Sequence, residues 1–117
     1  MINELDIQEI DERYFWIVTI EAYYVVIVSK NTGHYWQLLE QIANEHRTFM
    51  IRHKHNKPDP YHVQTNRSTL ADCCKYIQSH DNYHMEKVRK RKERRIQRLI
   101  SNGRFDLLPI EHAQYYK

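Results

Sequence analysis

Residues Tyr14 to Val28 read YFWIVTIEAYYVVIV, and no other stretch limits the fold so tightly. All but Glu21 and Ala22 are β-branched or aromatic, and such side chains pack well on a pleated surface and lose rotamer freedom in a helix. The run predicts two strands, within 13–20 (RYFWIVTI) and 23–29 (YYVVIVS). A membrane span needs about 20 residues with few or no charges, and this run is shorter and carries Glu21. Being apolar on both faces, the strands are expected to sit centrally, covered on each side. The turn near Glu21–Ala22 lacks Gly or Asn.

The segment SKNTGHYW (Ser29–Trp36) sets Asn31, Thr32 and Gly33 between apolar runs. Gly33 can take a positive φ in a hairpin connection, so HYWQLLEQ is read as a third strand. Tyr35, Leu38, Leu39 and Ile42 also match helical spacing, but the glycine turn favours a strand over 34–40. RTFMIRHKH (Arg47–His55) alternates, NKPDP (Asn56–Pro60) is a turn, and YHVQT (Tyr61–Thr65) returns as an edge strand. Ser68 is expected to cap a helix on whose packing face Leu70, Cys73, Cys74 and Ile77 share an arc of about 100°. His80-Asp81-Asn82 reads as a break before a longer helix, which stops at Asn102-Gly103.

The expected fold is therefore one α+β domain over residues 1–117. An antiparallel sheet of four to five strands (13–65) is followed by two C-terminal helices (68–80 and 83–102) packed on one face. Residues 1–12 form an arm or short helix anchored by Ile2, Leu5, Ile10 and Ile7. Residues 104–117 form an apolar C-terminal tail that packs back.

The start, MINELDIQEIDER, is acidic where a secretion signal begins basic. The two cysteines, Cys73 and Cys74, are neighbours, and a bridge between neighbours is strained, so reduced thiols and a cytoplasmic location are expected. Net charge is +3, but its distribution is uneven. Residues 1–46 hold two basic and eight acidic residues, a balance of −6, and residues 47–117 hold sixteen and seven, a balance of +9. That asymmetry points to an anionic partner for the second half, to contact between halves, or to self-association.

The run EKVRKRKERRIQRL (Glu86–Leu99) carries most of the positive charge. On a helical wheel Met85, Val88, Ile96, Leu99 and Ile100 form an apolar stripe of about 120°. Lys87, Lys90, Arg91, Arg94, Arg95 and Arg98 form an opposing stripe of about 140°. Arg89 and Lys92 lie toward the apolar side. A charge-rich face is usually just solvated. Here, however, Lys87–Arg91, Lys90–Arg94, Arg91–Arg95 and Arg94–Arg98 are like-charge pairs, each costing about 0.2–0.5 kcal/mol. An anion normally present would relieve that repulsion. A membrane-surface helix would look similar, but this apolar face carries no large aromatic and the core needs it.

Eight histidines are present. His53 and His55 share a strand face, and the register of the next strand decides whether His62 joins them. Three imidazoles around Zn²⁺ with an open fourth position would be a catalytic arrangement, so His53, His55 and His62 are the metal candidates. His80 and His84 stand at i, i+4. No HExxH, CxxC or acidic pair accompanies them, and Lys54 brings a cation between two of the candidates. Buried thiols react slowly, so Cys73 and Cys74 are read as packing. Trp16, Tyr23, Tyr24 and Trp36 are read as core.

The leading expectation is a small non-enzymatic nucleic-acid-binding protein that sets its cationic helix against DNA or RNA phosphates, without a cofactor. The runner-up is a protein–protein or homo-oligomerisation module pairing the acidic half with the basic helix. The third is a His-dependent metal site. No membrane partner is implied.

Overall fold

The computed structural model describes residues 1–104. Five strands follow: β1 (Phe15–Ile20), β2 (Tyr24–Ser29), β3 (Tyr35–Ala43), β4 (His46–Lys54) and β5 (His62–Arg67), with alternation of buried and less buried side chains clearest in β3 and β4. They form one antiparallel sheet in the order β1-β2-β3-β4-β5, a simple meander. A short helix, α1 (Glu4–Gln8), precedes the sheet, and a long helix, α2 (Leu70–Ser101), follows it. The residues group into two compact units, Met1–Asp81 and a second that begins at Asn82.

In the first unit one sheet face carries the core. Phe15, Val25, Ile27, Trp36, Leu38, Phe49 and Ile51 point into it and meet Leu70, Cys73, Cys74 and Ile77 from the first turns of α2. Each fully buried Leu, Ile or Phe contributes roughly 1.5–3 kcal/mol. Ile2, Ile7 and Ile10 join this cluster, so the N-terminal segment docks. Leu5, an expected anchor, is 73% exposed. Asn3 caps α1 in a capping box with Asp6. Burial pushes both thiols up, Cys73 to about 12 and Cys74 to about 11, which leaves them unreactive near neutrality.

Three expectations need correction. Both long apolar strands were to be central and covered on each side. Instead β1 is an edge strand, and its bulge between Ile17 and Thr19 leaves Trp16, Val18 and Ile20 each more than half exposed. Helix α2 is capped by Thr69 rather than Ser68: the Thr69 hydroxyl accepts from the Asp72 N–H at 3.1 Å. Finally, α2 is one helix and not two, running through His80-Asp81-Asn82 without a break. No Gly or Pro stands there, and Asp and Asn alone lower helix propensity only by tenths of a kcal/mol. The buried Asp81 side chain accepts from the Thr32 hydroxyl at 3.3 Å, a tertiary tie that an open loop at this point would forfeit.

The helix ends as expected. Gly103 takes φ +68°; its N–H donates to Ile100, and the Arg104 N–H donates to Leu99, completing a Schellman stop. Residues 105–117, and with them most of the expected apolar tail, lie outside the described residues.

Turn chemistry sets the register. Gly33 has φ +76°, as its hairpin position requires. The β3–β4 turn places both Asn44 (φ 51°) and Glu45 (φ 65°) in the left-handed region, as a two-residue type I′ turn demands. Asn tolerates this; Glu pays roughly 1 kcal/mol or more. Replacing the exposed Glu45 with Gly is expected to raise stability by about 0.5–1 kcal/mol in urea unfolding. No gain would mean the turn is not strained.

Candidate functional site

Two surfaces and one cluster of imidazoles stand out. The first surface lies on the second unit. Lys87, Lys90, Arg91, Arg94, Arg95 and Arg98 are all exposed on α2. The two carboxylates interspersed among them are engaged elsewhere: Glu86 and Glu93 both bind Arg89, which lies outside the stripe. None of the six stripe cations forms an ion pair among the described residues. Lys87 sits 5.4 Å from the Tyr83 ring centroid. The apolar stripe behind them is only partly covered. Ile96 is buried and Leu99 and Ile100 half-buried, but Met85 and Val88, expected to dock on the sheet, are 44% and 45% exposed.

The second surface is the sheet face opposite the core, which α1 and α2 leave open in the first unit. Strand alternation puts Trp16, Tyr24 and Tyr35 there with Arg52 and Lys54. Tyr61 joins them, because the Lys54 ammonium lies 4.3 Å from its ring centroid and 5.4 Å from that of Tyr35. The Arg52 guanidinium stands 5.5 Å from the Tyr61 ring and donates to Gln37 at 2.8 Å. Lys30 reaches 5.7 Å from Trp16. Among the described residues, no strand position alternating to this face is Asp or Glu, and the one strand carboxylate, Glu40, turns to the other side and is buried. Cations over aromatic rings, on strands that turn no carboxylate to this face, offer stacking and charge together. Trp16 and Tyr23 are thus exposed, against the expectation that they are core, while Trp36 is fully buried.

The imidazoles gather at the end of the β3–β4 ladder. Trp36 pairs with His53 and Tyr35 with Lys54, so the next step sets His34 opposite His55. The His34 and His55 rings stack at 4.0 Å and 10°. His53 Nε2 and His34 Nδ1 share a hydrogen bond of 3.1 Å. One nitrogen from each of His34, His53 and His55 lies within 4.8 Å of the others. Trp36 stacks on His53 at 4.1 Å, held by its indole N–H donating to the Ser29 hydroxyl at 3.0 Å. The His80 ring, from α2, packs 5.0 Å from that of His53.

His62 is the cross-strand partner of His53, after a bulge that leaves Gln64 unopposed. It is exposed and lines a cleft with His53, His55 and Asp59, but it is not one of the three converging rings. The cluster instead recruits His34, which the sequence reading had not included.

On the acidic side, the core-facing edge holds a network. Arg47 donates to Asp6 at 2.6 and 2.9 Å and to Glu40 at 2.7 and 3.1 Å. The chain's amino terminus donates to Glu40 at 2.9 Å. Asp11 is bound by Arg13. Three of the eight carboxylates in residues 1–46 thus have partners within the fold.

No protein family, characterised protein or solved structure matches this chain. No helix among the described residues is long and apolar enough to cross a membrane.

Proposed function

We propose that this is a nucleic-acid-binding protein without catalytic activity, acting in the cytoplasm, and that it prefers single strands. One observation carries the reading. Six cations lie exposed along one helix face with no ion pair among the described residues, while both nearby carboxylates are spent on Arg89. A solvated face that gains nothing from an anion would distribute its carboxylates among its cations. Phosphates spaced along a polynucleotide answer a row of cations, and neutralising them releases counterions.

The open sheet face supports the preference for single strands. Unpaired bases expose π-faces that stack on Trp and Tyr, whereas duplex bases are already stacked. Trp16 and Tyr61, each with a cation over its ring, supply such platforms. The alternative, pairing the acidic half of one copy with the basic helix of another, has fewer carboxylates to offer, because Asp6, Asp11 and Glu40 are already bound.

Fluorescence anisotropy with single-stranded RNA, single-stranded DNA and duplex DNA tests the reading. Wild type is expected to bind the single strands more tightly. Trp16→Ala and Tyr61→Ala should each cost about 1–2 kcal/mol on single strands and little on duplex. Equal losses on both, or none, would show that the sheet face does not select single strands.

A further inference from the structure

We propose that His34, His53 and His55 form a binding site for a divalent first-row transition ion, with Zn²⁺ the best fit. This site does not depend on the nucleic-acid reading. Three imidazoles and no thiolate suit Zn²⁺, Ni²⁺ or Cu²⁺ and disfavour Mg²⁺ and Ca²⁺, which take oxygen. Cys73 and Cys74 lie in the apolar core cluster.

The geometry is close to what coordination asks. Zn–N bonds of about 2.0–2.1 Å in a tetrahedron put ligand nitrogens about 3.3 Å apart. His53 Nε2 and His34 Nδ1 already stand 3.1 Å apart, and the three ligand atoms all lie within 4.8 Å. Closing the set asks the widest pair to approach by up to about 1.5 Å, and the stacked His34 and His55 rings to turn so that their in-plane lone pairs meet. The proton that His34 and His53 share would leave to solvent when the ion takes its place, since coordination needs both nitrogen lone pairs.

The surroundings support those rings as ligands do in built sites. Trp36 holds the His53 plane. The Thr32 hydroxyl accepts from the His34 backbone N–H at 3.2 Å and donates to the buried Asp81 carboxylate. A carboxyl group therefore lies buried one hydroxyl away from the ligand segment. Lys54, which stands between two of the ligands in the sequence, alternates to the opposite sheet face, and its ammonium donates to the Lys57 carbonyl at 2.7 Å. A cleft whose lining includes His53, Lys54, His55, Asp59 and His62 opens beside two of the three rings and offers the ion a way in.

The test uses the full chain without a His tag. Calorimetric titration with Zn²⁺ alone is expected to show one equivalent bound. Co²⁺ in its place should develop the intense visible absorption of a tetrahedral site. His55→Ala, chosen because His55 is exposed and its loss spares the core, should weaken Zn²⁺ binding about tenfold or more. His46→Ala, at the far end of β4 beside Ala43, should bind as wild type does. Absence of stoichiometric binding by wild type would overturn the proposal, and so would a His55→Ala protein with unchanged affinity. The Co²⁺ spectrum reads the wild-type site directly, so the result stands even if a buried-ligand variant fails to fold.

Discussion

Reversing three charges on α2, with Arg91, Arg94 and Arg98 each changed to Glu, is expected to weaken polynucleotide binding by at least about 100-fold at low salt. The variant removes half of a six-cation stripe and sets repulsive carboxylates among the survivors. Its fold should not suffer. All three positions are exposed. Of the four like-charge pairs at i, i+4, three become attractive: Lys87 with residue 91, Lys90 with 94, and 91 with Arg95. Only 94 with 98 stays repulsive, at about 0.2–0.5 kcal/mol per pair. Helicity by circular dichroism should therefore hold or rise while binding collapses. A variant that binds like wild type would show the stripe to be only a solvated face.

A large stability effect is expected at Arg47. Its guanidinium joins Asp6 and Glu40, both nearly buried, and lies 4.8 Å from the Phe49 ring. Removing one partner of a buried pair costs about 3–5 kcal/mol, because the stranded charge stays desolvated. Arg47 itself is one-third exposed, so about 2–3 kcal/mol is expected for Arg47→Ala in urea unfolding at pH 7.

The pH dependence follows from the same contacts. Hydrogen bonding from Arg47 holds the Asp6 carboxyl below its ordinary value. Burial pushes the Glu40 carboxyl up, but the amino terminus and Arg47 outweigh it and the net direction is down. Carboxyls with depressed pKa values stabilise the fold fully above the ordinary range. That contribution is lost as pH falls through the folded values. The gap between wild type and Arg47→Ala should thus narrow below about pH 4. A gap under about 0.5 kcal/mol at pH 7 would contradict the network's role.

The β strands were legible because alternation along RTFMIRHKH and the β-branched run at 14–28 have only one good structural use. Gly33 marked its turn. The single long α2 was hidden because His80-Asp81-Asn82 looks like a break locally, and what holds it helical is a contact with Thr32, far away in sequence. The open sheet face was hidden for a related reason. Apolar residues on both sides of β1 read as double coverage, yet β1 lies at the edge of a meander.

His34 shows how close a reading can come. His53-Lys54-His55 drew attention to the right strand, and the third ring was sought on the following strand at His62. The missing signal was the β3–β4 turn. Asn44 accepts a positive φ, and a two-residue turn at Asn44-Glu45 sets Tyr35 opposite Lys54 and therefore His34 opposite His55. One turn type, fixed from Asn44, would have found the cluster.

The most direct measurement of the central claim is the salt dependence of wild-type binding to a single-stranded RNA of about 20 nucleotides. Six phosphate contacts predict a log–log slope near −4 between 50 and 200 mM salt, and about −2 for the triple Glu variant if its three remaining cations still bind. A slope near zero, or no binding at low salt, would contradict the assignment of Lys87, Lys90, Arg91, Arg94, Arg95 and Arg98 to phosphates.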